Sequence, residues 1–175
     1  QPNAPSPDPD SQLELALQQL RAGRNTEAAI TLRDLVQASP APVEALVALG
    51  SAEMALNQWA AAETHFRQAL NLAPHHPPAF RNLGVLLGAS ERHAEALALA
   101  DATLAAEPAH TQALLTRGNA LTGLSRLEEA LLSYQAAAAF DEVTYEALTK
   151  LGLTHAALHQ TEAALRSFDQ AIARE

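Results

Sequence analysis

Residues 43–76 read VEALVALGSAEMALNQWAAAETHFRQALNLAPHH, and the fold follows from this stretch. Its apolar residues recur at three- and four-residue spacing, the signature of amphipathic helices. Leu46, Leu49 and Leu56 share one side of a first helix, and Ala62, Phe66, Ala69 and Leu70 line a second. Between them Leu56-Asn57-Gln58 reads as a turn, because Asn tolerates the left-handed backbone that ends a helix. Pro74 has no backbone donor and stops the second helix. Gly50 and Ala62 are expected where the two helices come closest, since a larger side chain there would hold them apart.

The same pattern extends outward at one fixed interval. Gly50, Gly84, Gly118 and Gly152 are evenly spaced, and at a constant distance after each stands Ala62, Ala96, Ala130 or Ala164. The register runs back to Ala16 and Ala28. Leu32, Phe66, Ala100, Tyr134 and Phe168 follow the later alanines by four, and Pro40, Pro74 and Pro108 close three units. Ala22-Gly23-Arg24-Asn25 supplies the turn of the first unit as Asn57 does in the second. A 34-residue period with these small and large positions resembles the tetratricopeptide repeat (TPR). On this register five units fall at about 9–42, 43–76, 77–110, 111–144 and 145–175. The resemblance implies an all-α fold: an α-solenoid of five helix-turn-helix units forming a right-handed superhelix, its concave face lined by the first helix of each unit. One helix pair cannot bury its apolar face alone, so neighbouring pairs share a core.

Four positions depart from the family pattern. Arg117 stands where the family has leucine, Glu142 replaces the closing proline, Glu53 replaces a bulky residue and Thr103 a small one. A partly buried cation needs a partner, and Glu128 or Glu129 is the expected one for Arg117. Residues 1–10, QPNAPSPDPD, hold Pro2, Pro5, Pro7 and Pro9 and are expected to form a disordered, proline-rich tail ahead of a repeat domain over 11–175. The chain starts at Gln1 rather than Met, which reads as a trimmed or processed start.

Composition narrows the function. The 175 residues carry 11 Lys plus Arg against 20 Asp plus Glu, a net charge of -9. That balance opposes a nucleic-acid partner, which needs clustered cations. Absence of cysteine rules out disulfides, thiolate metal sites and a Cys nucleophile. The 40 alanines and 7 glycines favour helix. No window reaches the roughly 18 apolar residues of a membrane span, so direct membrane insertion is not expected. No G-x-S-x-G, H-E-x-x-H or phosphate-binding glycine loop occurs, so the chain reads as a non-enzyme with no catalytic residues and no cofactor. His155 and His159 are four apart and Glu162 is near, but no further ligand has useful spacing, and no metal site is expected. His75, His76 and His110 read as exposed loop residues.

In the TPR family, extended peptides lie in the groove and touch fixed positions of each first helix. On this chain those positions give two chemistries. The first two units present Leu13, Leu17, Leu20, Val47, Ser51 and Met54; the later ones present Arg81, Asn82, Val85, Thr116, Asn119, Thr149 and Lys150. The expected polar contacts are Arg81, Asn82, Thr116, Asn119 and Lys150, and the apolar ones are Leu17 and Met54. Asn holds a peptide backbone by paired bonds, and Arg or Lys holds a carboxylate. The match to the family's dicarboxylate clamp is partial. Arg81 and Lys150 stand at cation positions, but Val85 and Thr116 replace asparagines and Glu146 replaces a lysine.

The expected function is therefore a scaffold that binds a protein or extended peptide, including acidic ones. The proline-rich start and alanine-rich repeats further resemble small bacterial envelope TPR lipoproteins that assist pilus or secretin assembly. That likeness implies a periplasmic or outer-membrane-anchored location ahead of a cytoplasmic one. Two alternatives stay open. One is self-assembly as a homodimer through Leu165, Phe168 and Ile172, a face that a trimmed C-terminal helix would otherwise cover; the other is a regulatory domain of a larger protein.

Overall fold

The computed structural model describes residues 8–37, 40–141 and 143–174. The tail expected at Pro2, Pro5 and Pro7, the departure at Glu142 and the terminal Glu175 lie outside the described residues. Among those described, the chain forms ten α-helices and no strand. They come in pairs: α1 (Pro9–Arg21) with α2 (Asn25–Leu35), α3 (Val43–Ala55) with α4 (Trp59–Leu72), α5 (Pro77–Ala89) with α6 (His93–Ala106), α7 (Thr111–Gly123) with α8 (Leu127–Ala137), and α9 (Thr144–Ala157) with α10 (Thr161–Ile172). The tail boundary moves. Pro9 and Asp10 belong to α1 rather than to an extended segment, because proline is tolerated in a first helical turn, where its missing N–H has no partner to lose.

The turn inside each pair is built the same way. Gly23, Asn57, Glu91, Ser125 and His159, each one repeat beyond the last, all have positive φ, from 57° to 71°. Around each, two backbone bonds close the end of the first helix. At the fourth turn, for instance, Arg126 N–H donates to the Leu121 carbonyl at 2.8 Å and Ser125 N–H to the Thr122 carbonyl at 3.0 Å. This double closure satisfies carbonyls that a helix end leaves open.

The ends of the second helices vary more. Pro74 and Pro108 follow α4 and α6. After α8 the work falls to Thr144, whose hydroxyl donates to the Phe140 carbonyl at 2.8 Å and the Ala138 carbonyl at 3.2 Å. Two histidines at matching positions of successive repeats start helices. Ala79 N–H donates to His76 Nδ1 at 3.3 Å and Ala113 N–H to His110 Nδ1 at 3.1 Å. His110 is only 5% exposed. It is a buried N-cap, not the exposed loop residue expected, because its ring nitrogen satisfies an open donor of α7.

The chain divides into two compact units, Gln1–Leu86 and Leu87–Glu175, with the division inside α5. In the first, Ala16, Ala28, Ala29, Leu32 and Leu35 pack with Ala45, Ala48, Leu49 and Ala52. Trp59 opens α4 at the surface of this unit. In the second, Leu114, Leu115 and Leu121 of α7 and Ala130, Tyr134 and Ala137 of α8 pack with Val143, Ala147, Leu148, Leu151 and Ala171. The glycines have a sharper reason than expected. A Cβ on Gly50 would sit 2.6 Å from the Phe66 ring, and one on Gly152 would sit 2.5 Å from the Phe168 ring; Tyr134 crowds Gly118 in the same way. Each glycine makes room for an aromatic ring of its paired helix, rather than for the backbone.

Candidate functional site

The expected site residues fall into two sets. Leu17, Met54, Arg81 and Asn82 belong to the first unit, and Thr116, Asn119 and Lys150 to the second.

In the first set, Leu17 is half-buried against the α1–α3 core, and Met54 is half-buried on α3. Arg81 is exposed on α5. Asn82 Nδ2 donates to Ser51 Oγ at 3.0 Å, and Ser51 Oγ donates to the Val47 carbonyl at 2.8 Å. Two groove positions from successive repeats are thus brought together in one chain of bonds. Asn82 keeps its carbonyl oxygen and its second N–H outside that chain.

In the second set, Thr116 is 6% exposed. Burial leaves little of it on the surface where it was expected. Asn119 is exposed, but its Oδ1 accepts a hydrogen bond from the Tyr134 hydroxyl at 2.8 Å. Thr122 Oγ1 lies 3.3 Å from the same hydroxyl. With Oδ1 tied inward, the Nδ2 donors of Asn119 are turned toward solvent. Tyr134 is buried, and burial pushes its pKa up to about 12, so the hydroxyl keeps its proton as the donor at neutral pH.

The Lys and Arg side chains of this unit are nearly all paired. Arg92 pairs with Glu95 at 2.7 Å, Arg117 with Asp101 at 2.7 Å, Arg126 with Glu129 at 2.6 Å, Arg166 with Glu162 at 3.9 Å and Arg174 with Asp141 at 3.1 Å. Lys150 is half-buried on α9 and, among the described residues of the unit, is the one Lys or Arg with no ion pair.

Arg117 needs a correction. Its partners are Asp101 on α6 and Ser133 Oγ on α8, at 2.8 Å, and neither Glu128 nor Glu129. Glu129 is held by Arg126, whose hydrogen bonds keep its carboxyl below the usual carboxylate range. The buried Glu53 meets His65 Nδ1 at 2.7 Å, which answers the loss of a bulky residue there with a hydrogen bond to α4. His155 Nδ1 lies 2.6 Å from Gln160 Oε1 and His159 occupies the turn. No group of three or more His, Asp or Glu among the described residues is placed to hold a metal ion.

Sequence reading missed Tyr134 as the residue that orients Asn119. The signal was present in the repeats. Where unit four has Tyr134 and Asn119, unit five has Phe168 and Leu153, and unit two has Phe66 and Ser51. The ring gains its hydroxyl only opposite the asparagine.

Models of the tetratricopeptide repeat match residues 43–76 and 81–143. The chain belongs to the tetratricopeptide repeat family. Solved structures share the fold. A thermophilic TPR protein of Thermus thermophilus aligns with a TM-score of 0.78 at 18% identity, over 95% of this chain and 91% of that one. MamA from Desulfovibrio magneticus RS-1, from residue 41 to its end, aligns with a TM-score of 0.73 at 24% identity, over 98% and 97%. Another MamA crystal structure gives 0.70 at 17% identity, over 91% and 93%. No curated protein matches the chain by sequence. TPR chains are generally non-enzymatic, and the family places this one among protein-interaction scaffolds. No helix among the described residues is long and apolar enough to cross a membrane.

Proposed function

We propose that the second unit of this TPR chain binds an extended peptide that presents carboxylate or carbonyl oxygens to Asn119 and Lys150. The observation that carries this reading is the pairing of every other described cation in the unit, which leaves Lys150 as the described Lys or Arg there without an ion pair. Asn119 adds two N–H donors, while its oxygen already accepts one bond from Tyr134. Both groups therefore favour a partner rich in acceptors, and charge-assisted bonds to Lys150 favour an acidic one. In the first unit, Arg81 and Asn82 offer a second donor pair of the same kind, and Leu17 and Met54 are its apolar candidates. The envelope setting, in pilus or secretion machinery, enters this proposal through composition alone and is tested by cell fractionation.

The binding test is a peptide array in which each acid-rich peptide has a counterpart with Asp and Glu changed to Asn and Gln. The chain is expected to retain the acidic member of each pair, and Lys150→Glu to lose about tenfold in signal with an unchanged helical circular dichroism spectrum. Equal retention of both members, or retention untouched by Lys150→Glu, overturns the reading.

A further inference from the structure

Helix α9 turns three chemically different side chains to one side. Glu146, Lys150 and Leu153 stand at helical spacing, so they follow one another along a single face. Glu146 is exposed, Lys150 is half-buried and Leu153 is 56% exposed. The face stays open inside a run of repeats. At the position of Leu153 in earlier repeats stand Val85, 53% exposed, and Asn119, also exposed, although further helices follow both. At the position of Glu146, Glu44 and Pro78 are exposed and Gln112 is half-buried.

Glu146 and Lys150 are one helical turn apart, where opposite charges can meet. Among the described residues, neither takes part in an ion pair. Glu146 also adjoins Asn119. Burial is the main cause of the raised Tyr134 pKa and the Glu146 charge adds to it, while the same hydroxyl donates to Asn119 Oδ1. The face of α9 thus continues the surface that carries Asn119.

Resting on the acidic-peptide reading above, we propose that this face selects a peptide of mixed charge. An aliphatic residue sits on Leu153, a single acid on Lys150 and a base on Glu146. Charge complementarity sets the order. Lys150 attracts a carboxylate, but a second carboxylate one step further would face Glu146, and like charges across an interface oppose binding. Leu153 holds most of its surface in water, and an aliphatic partner removes that surface from it. Spacing agrees. Along α9 the steps are about 6 Å from Glu146 to Lys150 and about 4.5 Å from Lys150 to Leu153. Alternate residues of an extended chain point the same way and recur about every 6.6 Å. The long Glu and Lys side chains take up the difference. The motif is therefore aliphatic, acid and base at alternate positions with the acid in the middle.

Fluorescence polarisation of short labelled peptides tests this. The probe is a Ser-Gly peptide with Leu, Glu and Lys at alternate positions, made in both chain directions. A peptide of the same composition with Leu in the middle, and one with Glu in place of Lys, are each expected to bind about tenfold more weakly. Leu153→Ser should weaken the probe about tenfold. Glu146→Lys should reverse the charge preference, so that the two-acid peptide binds better than the probe. Both positions are exposed, so circular dichroism should show unchanged helicity. Binding that is lost with Lys150→Glu but indifferent to Leu153→Ser, to Glu146→Lys and to peptide order overturns this proposal and leaves the acidic-peptide reading standing. Tighter binding of the two-acid peptide than of the probe by the unaltered chain does the same. Binding untouched by Lys150→Glu overturns both.

Discussion

Tyr134 keeps a polar atom inside a core that the equivalent Phe66 and Phe168 line with bare rings. Its hydroxyl is satisfied by Asn119 Oδ1, and burial raises its pKa to about 12. An exposed phenol titrates near about 10. Up to about pH 9 both folded and unfolded chains hold the proton, and this residue gives stability no pH dependence. Between about pH 10 and 12 the unfolded chain releases the proton while the folded chain keeps it, so stability falls as pH rises, by about 2–3 kcal/mol at most. Urea denaturation at several alkaline pH values should show that slope in the native sequence and lose it in Tyr134→Phe. At neutral pH the same substitution should cost about 1 kcal/mol, the typical net worth of one hydrogen bond.

At the scale of the element, the five turns share one backbone shape but not one residue. Gly23 enters the left-handed region at no cost and Asn57 at little, whereas Glu91 and Ser125 pay about 1 kcal/mol each. Ser125→Gly and Glu91→Gly should therefore raise stability by about that amount, and Gly23→Ala should lower it similarly, as read from chemical denaturation midpoints. This is also where sequence reading reached its limit. Gly23 and Asn57 announced their turns by residue type; Glu91, Ser125 and His159 are legible only because they stand at the same place in later repeats. Gly50, Gly118 and Gly152 gave the period, but the aromatic rings that require them needed coordinates. Of the candidate site, Asn119 and Lys150 followed from register. The burial of Thr116 did not, because it depends on what neighbouring helices lay over the position. Nor did the partner of Arg117, since register does not say which of several nearby acids the guanidinium reaches.

Across the whole molecule, stability comes from contacts between successive repeats, and Arg117 shows how one residue can serve such a contact and a contact inside its own repeat at once. It ties α7 both to Asp101 of the preceding repeat and to Ser133 of its own. Arg117→Ala should cost about 1–2 kcal/mol in thermal or chemical unfolding, through lost hydrogen bonds and lost packing of its stem. Arg117→Leu, which restores the family's residue, should recover most of that loss, because the Asp101 left behind is half-exposed and returns to water.

The chain's aromatic residues also fall unevenly. Its single tryptophan, Trp59, lies in the first unit, and both tyrosines, Tyr134 and Tyr145, lie in the second. Indole fluorescence therefore reports one unit and phenol absorbance the other, with no added label. A single melt followed in both signals measures how far unfolding in one half is felt in the other, and the protein carries its own two-colour thermometer for that measurement.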